Sequence, residues 1–185
     1  MKRILLIVFF ITFSISSYAQ HDTVGLHIPI KDSKIVYEGV IEVPERAKQE
    51  LLNNAKQWFV DYFKDSKNVI QNEDKDQGRI VGKGIILIEL NTYDKITIQI
   101  DCKDGKYRYR IYDMTGIIPA HYDVWIGNVG ESIFLPEALI NKLTVDGEAA
   151  FTKNKCRKLL QSIGNETKST IESLKKAMSA KPDDF

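Results

Sequence analysis

The chain has 185 residues, 43% hydrophobic and 28% charged, which are proportions of an ordinary folded domain and exclude a disordered, collagenous or coiled-coil chain. Lys and Arg number 26 against 25 Asp and Glu, so the formal charge of +1 provides no net field toward nucleic acid or anionic lipid. Two cysteines are too few for a disulfide-built scaffold or a four-cysteine metal site.

Residues 1–19 read as a signal peptide. Lys2 and Arg3 start it, residues 4–15 are apolar except for Thr12 and Ser14, and Ser16, Ser17, Tyr18 and Ala19 form a small, polar end. Small residues at Ser17 and Ala19 place the cut before Gln20. The apolar run falls short of the about 20 residues a membrane-spanning helix needs, which argues against an uncleaved anchor. No Cys follows it, which argues against a lipoprotein. The expected product is periplasmic or secreted, has no transmembrane anchor after cleavage, and lies in a compartment where disulfides persist.

Residues 20–33, with Gly25 and Pro29 and no period, read as a lead-in. Residues 34–43 alternate loosely, are rich in Ile and Val, and form an expected strand stopped by Pro44, which then suits the first turn of a helix. Leu51, Leu52, Ala55, Trp58, Phe59, Tyr62 and Phe63 recur at helical spacing opposite Lys48, Glu50, Asn54, Gln57 and Asp61, so residues 45–64 read as an amphipathic helix. Its aromatic stripe belongs to a core.

A short strand at Val69 and Ile70, a polar turn, and a long strand over 79–90 follow. Residues 95–102 and 107–114 flank Lys103-Asp104-Gly105-Lys106, and Asp-Gly between alternating strands signals a hairpin whose two central residues take positive φ. A two-residue loop predicts that Cys102 faces Tyr107, Ile100 faces Tyr109 and Ile98 faces Ile111 on an apolar side. On the other side Asp101 faces Arg108, Gln99 faces Arg110 and Thr97 faces Tyr112. An acid opposite a base supports that register. Residues 115–147, with Pro119, Trp125 and Pro136, are irregular apart from a short helix over 136–143. Helical spacing returns from Ala149 through Cys156, Leu159, Leu160, Ile163, Thr167, Ile171, Leu174 and Met178, with Gly164 an expected bend or break and 181–185 a frayed tail.

Strand, helix, four strands and helix make an α+β protein of two layers: a five-stranded antiparallel sheet with both helices on one face. The run Lys34-Ile-Val-Tyr-Glu-Gly-Val-Ile-Glu-Val43, the helix with Ala55-Lys-Gln-Trp58-Phe59, the segment Gly78-Arg-Ile-Val-Gly82-Lys83-Gly84 and the hairpin Lys103-Asp-Gly-Lys-Tyr-Arg-Tyr109 together resemble a family of uncharacterised exported bacterial proteins. That family is described as a domain of unknown function with a TBP-like fold. The resemblance covers roughly residues 28–114. It implies a curved sheet with helices on its back, in the order β-α-β-β-β-β-α, within a single TBP-like domain over 34–180 that carries the irregular insertion 115–147. It brings no catalytic residues. The fold's name suggests DNA, but the open face mixes Arg108 and Arg110 with Asp101, Glu38 and Glu42, so no nucleic acid is expected as a partner.

No motif carries chemistry. Gly78 to Gly84 has three residues between its first glycines and no Ser or Thr after Lys83, so it is a strand in which glycines permit a bulge or a close approach, not a phosphate loop. Asn72 to Gly78 alternates carboxylates as a calcium loop does, but Gln77 and Lys83 stand where Gly and Glu are required. His21, His27 and His121 lack ligand spacing, and Ser132 lacks the second Gly of a nucleophile elbow, so no metal, cofactor or catalytic group is expected. Asn165-Glu-Thr167 is a chance match to a glycosylation acceptor. Cys102 and Cys156, each on an apolar face, either form a disulfide worth about 2–4 kcal/mol or stay as buried thiols.

The leading expectation is a non-catalytic binding module of the cell envelope, contacting an unknown envelope or surface partner through Gln99, Arg108, Arg110 and Tyr112 or through the 115–147 segment. The alternative is an envelope-acting enzyme with a cleft between the sheet and that segment. A third reading pairs two copies edge to edge as a homodimer.

Overall fold

A computed structural model describes residues 26–64, 69–88, 91–123, 127–144 and 152–180. A small hairpin of β1 (Ile30–Lys31) and β2 (Lys34–Ile35) precedes β3 (Tyr37–Glu42), α1 (Lys48–Phe63), β4 (Ile70–Asp74), β5 (Arg79–Ile88), β6 (Thr92–Lys103) and β7 (Lys106–Ile118). Then come β8 (His121–Asp123), β9 (Gly127–Val129), β10 (Ser132–Phe134), α2 (Pro136–Thr144) and α3 (Lys153–Ser179). The main sheet is antiparallel in the order β4-β5-β6-β7, and β3 and β10 share the outer edge of β7, β3 along residues 106–111 and β10 along 116–118.

The hairpin register is the expected one throughout, from Cys102 opposite Tyr107 to Thr97 opposite Tyr112. Its turn differs in one respect: Gly105 alone takes positive φ, at 75°, so the loop is not the mirror-image type that asks this of both residues. Asp104 instead accepts the Lys48 amide hydrogen bond at 2.7 Å, while the Gly105 amide donates to the Arg46 carbonyl and its carbonyl accepts from Val43. The hairpin tip thus caps α1 from outside. This explains why the helix starts at Lys48 rather than 45: Glu45 sits at positive φ in a turn, and Pro44 lies before the helix rather than in its first turn.

Other boundaries shift for similar reasons. The strand over 34–43 is split at Val36, whose amide bonds the Pro29 carbonyl outside the sheet. The polar stretch after Ile70 is the sheet's outer strand rather than a turn, because Asn72, Glu73 and Asp74 pair with Val81, Ile80 and Arg79. The main sheet has six strands rather than five, because β7 runs on to Ile118 and offers an edge to β10 from within the 115–147 segment. Gly164 does not break α3, which is continuous from Lys153 to Ser179 and buried there against the Tyr37 side chain. The expectations for residues 1–25, Trp125, Ala149 and the 181–185 tail lie outside the described residues.

The core lies between the sheet and the helices. Every even residue of β6 from Thr92 to Cys102 is buried, as are Leu51, Leu52, Ala55, Trp58 and Phe59 of α1 and Leu159, Leu160, Ile163 and Leu174 of α3. Trp58 Nε1 donates to Ser173 Oγ at 3.1 Å and the Tyr62 and Thr170 hydroxyls are 2.9 Å apart, which fixes α1 beside α3. Gly82 and Gly84 let α1 approach β5. A Cβ at Gly82 would lie 2.5 Å from the Phe59 ring, and one at Gly84 would overlap the Phe63 ring. Phe59 is fully buried and has nowhere to move, whereas Phe63 is only partly buried. Gly82→Ala is therefore expected to cost about 1–3 kcal/mol and Gly84→Ala less, although the approach at Gly84 is closer. Urea midpoints of the two variants check the order, and equal losses would contradict it.

Candidate binding face

The side of the sheet away from the helices is an ordered lattice of cross-strand rows. One row runs Asp74, Arg79, Asp101, Arg108, Val40; the next runs Asn72, Val81, Gln99, Arg110, Glu38. Lys83, Thr97 and Tyr112 follow, then Ile85, Lys95 and Thr115, and finally Leu87, Tyr93, Ile117 and Ile133. The face therefore grades from charged at the hairpin end to apolar at the other.

Alternation along β6 and β7 brings Gln99, Arg108, Arg110 and Tyr112 together on this face, as expected, and within it they bond to their neighbours. Asp101 is the hub: Arg79 Nε donates to Oδ1 at 2.5 Å, Arg108 Nη2 to Oδ2 at 2.6 Å, and Gln99 Nε2 to Oδ2 at 2.9 Å. Burial alone would raise the Asp101 carboxyl, but these three donors more than offset it and hold it below the usual carboxylate range. Arg110 pairs with Glu38 at 3.5 Å and lies over the Tyr112 ring at 5.1 Å. Glu38 also accepts from Lys31 at 2.7 Å, chiefly through which its carboxyl is lowered. Such a network fixes the rotamers of long side chains that would otherwise be mobile.

The geometry has known counterparts. One family model, described as a domain of unknown function (DUF4468) with TBP-like fold, covers a segment from β3 into β7. Residues 37–115 match it. The family resembled on sequence is thus the family matched, and DUF4468 carries no named activity. Two solved structures share the architecture: a TBP-like protein from Parabacteroides distasonis ATCC 8503 and a DUF4468 family protein from Bacteroides ovatus ATCC 8483. The first is 18% identical with a TM-score of 0.67, covering 84% of this chain and 99% of its own. The second is 16% identical with a TM-score of 0.62, covering 83% and 91%. At these identities the likeness shows the fold alone. No curated protein matches the chain.

Two groups of side chains relevant to a site escaped the sequence reading. Arg79 joins the Asp101 hub from β5, whose alignment with β6 no turn motif announces. On the opposite, helix-covered face Asp94 is fully buried, and neither carboxylate oxygen has a hydrogen bond of good geometry. The Glu137 Oε2 and Tyr37 hydroxyl are also buried without partners, while Glu137 Oε1 accepts from the Ile35 amide at 3.0 Å. Burial pushes Asp94 up to about 7, eased by the nearby Thr115 backbone and reinforced by the Glu137 charge. Burial, then the Asp94 charge, pushes Tyr37 up to about 12. The even positions of β6 were the available signal, since extending that parity back from Ile96 places Asp94 in the core.

Cys102 and Cys156 are both buried and not bridged to each other, so of the two readings left open on sequence the structure has the thiols. At the hairpin tip beside Cys102 the Gly105 amide donates to the Arg46 carbonyl, and Arg46 donates to the Ser179 carbonyl at the C-terminal end of α3, about 34 Å along that helix from Cys156. The two cysteines thus lie toward opposite ends of α3, out of bonding reach. Burial pushes Cys102 up to about 12 and also raises Cys156, so neither is a ready nucleophile.

Asp94 has a consequence in solution. The folded chain holds this proton up to about pH 7, the unfolded chain only to about 3.9, so the folded state binds the extra proton between those values. Stability should fall as pH rises from about 4 to about 7, by at most about 4 kcal/mol, and then level off. Urea midpoints across that range should lose most of this slope in Asp94→Asn; an unchanged slope would clear Asp94 of the effect.

Proposed function

We propose that the chain is an exported, non-catalytic interaction module of the cell envelope, periplasmic or secreted, that engages its partner through the uncovered sheet face. The observation that carries this reading is the division of the layers. Both long helices pack on one side, so among the described residues no helix covers the face bearing Gln99, Arg108, Arg110 and Tyr112. Arg and Tyr are residue types enriched at interfaces, and side chains already held by neighbours lose less entropy on binding. Asp101, Glu38 and Glu42 balance the arginines, which speaks against a nucleic-acid backbone as the partner.

The enzyme alternative draws on Asp94 and Glu137, the carboxylates that converge between the sheet and α2. Asp94 is closed to solvent, so in this conformation the pair has no path to a substrate. A homodimer formed by pairing the outer edge of β4 with itself would bring Glu73 and Asp74 near their own copies, and like charges oppose that. Among the described residues no helix is long and apolar enough to cross a membrane.

Two experiments test the proposal. Expression in an exporting host should yield a protein whose intact mass begins at Gln20; a mass retaining Met1 in the envelope fraction would reject the export reading. A photo-cross-linking residue at Gln99 or Tyr112 should trap an envelope partner that the same residue at Gln57 or Lys168, on the helix side, does not. Arg108→Ala with Arg110→Ala should reduce that adduct, and equal trapping at all positions would reject the face.

A further inference from the structure

Below the charged rows lies a cleft of about 590 Å³, within the roughly 300–1,000 Å³ typical of small-molecule sites, lined by residues of the open face and, past the edge of β5, by Phe63 and Val69 of the side that carries α1. It lies where β4 has ended, since Ile70 makes the last pairing with Gly82 and, among the described residues, the following residues of β5 have no strand partner on that side. Lys83, Lys95, Thr97 and Thr115 line one part of it, Phe63 and Val69 another. Lys95 faces Ile85, two residues along from Lys83, so the two ammonium groups are diagonal neighbours. Unlike Arg79, Arg108 and Arg110, neither lysine has an ion pair or hydrogen bond among the described residues. Among the described residues Asp113 is the one carboxylate lining the cleft, and it is paired with neither.

The walls are shaped by strain. Between Lys95 and Thr97 the β6–β7 register slips, and Asp113 is the extra residue of β7, held at φ 51°. Such a bulge increases local twist, and a non-glycine residue in the left-handed region is a conformation that functional sites tend to retain. From the cleft an apolar track continues: Ile85 is 54% exposed, Leu87 59%, Tyr93 37% and Ile133 66%. Leu87, Tyr93, Ile117 and Ile133 stand in a single cross-strand row.

We propose that this cleft binds one anionic amphiphile, its carboxylate or phosphate head between Lys83 and Lys95 and its alkyl chain along Ile85, Leu87 and Tyr93. Two lysines without an ion pair among the described residues favour the anion, the Thr97 and Thr115 side chains border the head, and burying the exposed row favours the chain. The proposal does not rest on the partner contact at Arg108 and Arg110, which belong to other rows of the face.

Titration calorimetry of the purified chain at low ionic strength tests it, with decyl phosphate and decanoate below their micelle concentrations as probes. Both should bind, and added salt should weaken them. Lys83→Gln with Lys95→Gln should lower affinity about ten-fold or more, and Leu87→Ser should lower it too. Inorganic phosphate and octyl glucoside should each bind at least about ten-fold more weakly than decyl phosphate. The lysines are exposed, so circular dichroism of the double variant should match the parent. The proposal fails if decyl phosphate does not bind, if the lysine variant binds it as well as the parent, or if inorganic phosphate matches it. It fails equally if only phosphatidylglycerol vesicles are bound, which would mark a membrane surface rather than a single-molecule site.

Discussion

The close approach of Phe59 and Phe63 to Gly82 and Gly84 sets the whole arrangement. Aromatic rings can reach the sheet backbone only where β5 has no side chain on that side, which fixes both the register of α1 along the strand and the distance between layers. Trp58 and Tyr62 of the same stripe then reach across to Ser173 and Thr170, so α3 is positioned by α1 rather than by the sheet alone. With both helices committed to one side, no described helix covers the other side of the sheet. The open face is therefore a consequence of the packing on the closed one.

Strand β6 shows how sharply the two sides differ. Asp94 and Asp101 lie seven residues apart in one strand, and so on opposite faces. Asp101 meets Arg79, Arg108 and Gln99 and is held below its ordinary range; Asp94 meets Ile86, Gly116 and the Glu137 carboxylate and is pushed to about 7. Chemically identical groups thus respond in opposite directions, because one is given three side-chain donors and the other is denied water and has only the nearby Thr115 backbone to ease it. The first favours a stable, ordered surface, and the second makes the core sensitive to pH.

What could be read in the chain beforehand follows the range of the forces involved. The 97–112 part of the ribbon was legible because an Asp-Gly turn sets the pairing and period two then assigns each side chain a face, up to the bulge at Asp113. The helix stripe was legible because Trp58, Phe59, Tyr62 and Phe63 repeat at the right spacing. The start of α1 was not, because its cap is Asp104, fifty-six residues away and brought there by the hairpin. β10 was not, because three residues make a strand only when β7 offers an edge. Of the face, Gln99, Arg108, Arg110 and Tyr112 were legible from one hairpin. Arg79 and the Lys83–Lys95 pair were not, since they depend on how β5 aligns with β6.

The gradient along the face bears on how any contact there would work. At the charged end, each guanidinium already has a carboxylate or ring of its own. A partner must offer bonds as good as those it displaces, so the exchange gains little free energy but discriminates strongly against poor matches. At the other end Leu87 and Ile133 stand in water with most of their surface uncovered, and covering them gains free energy without demanding particular geometry. An exposed apolar row on a sheet is a liability for a free domain, because other surfaces cover it as readily as the intended one. Lys83 and Lys95 beside it temper that liability, since a neutral greasy surface would have to desolvate two ammonium groups to reach the row, whereas an anion is drawn to them.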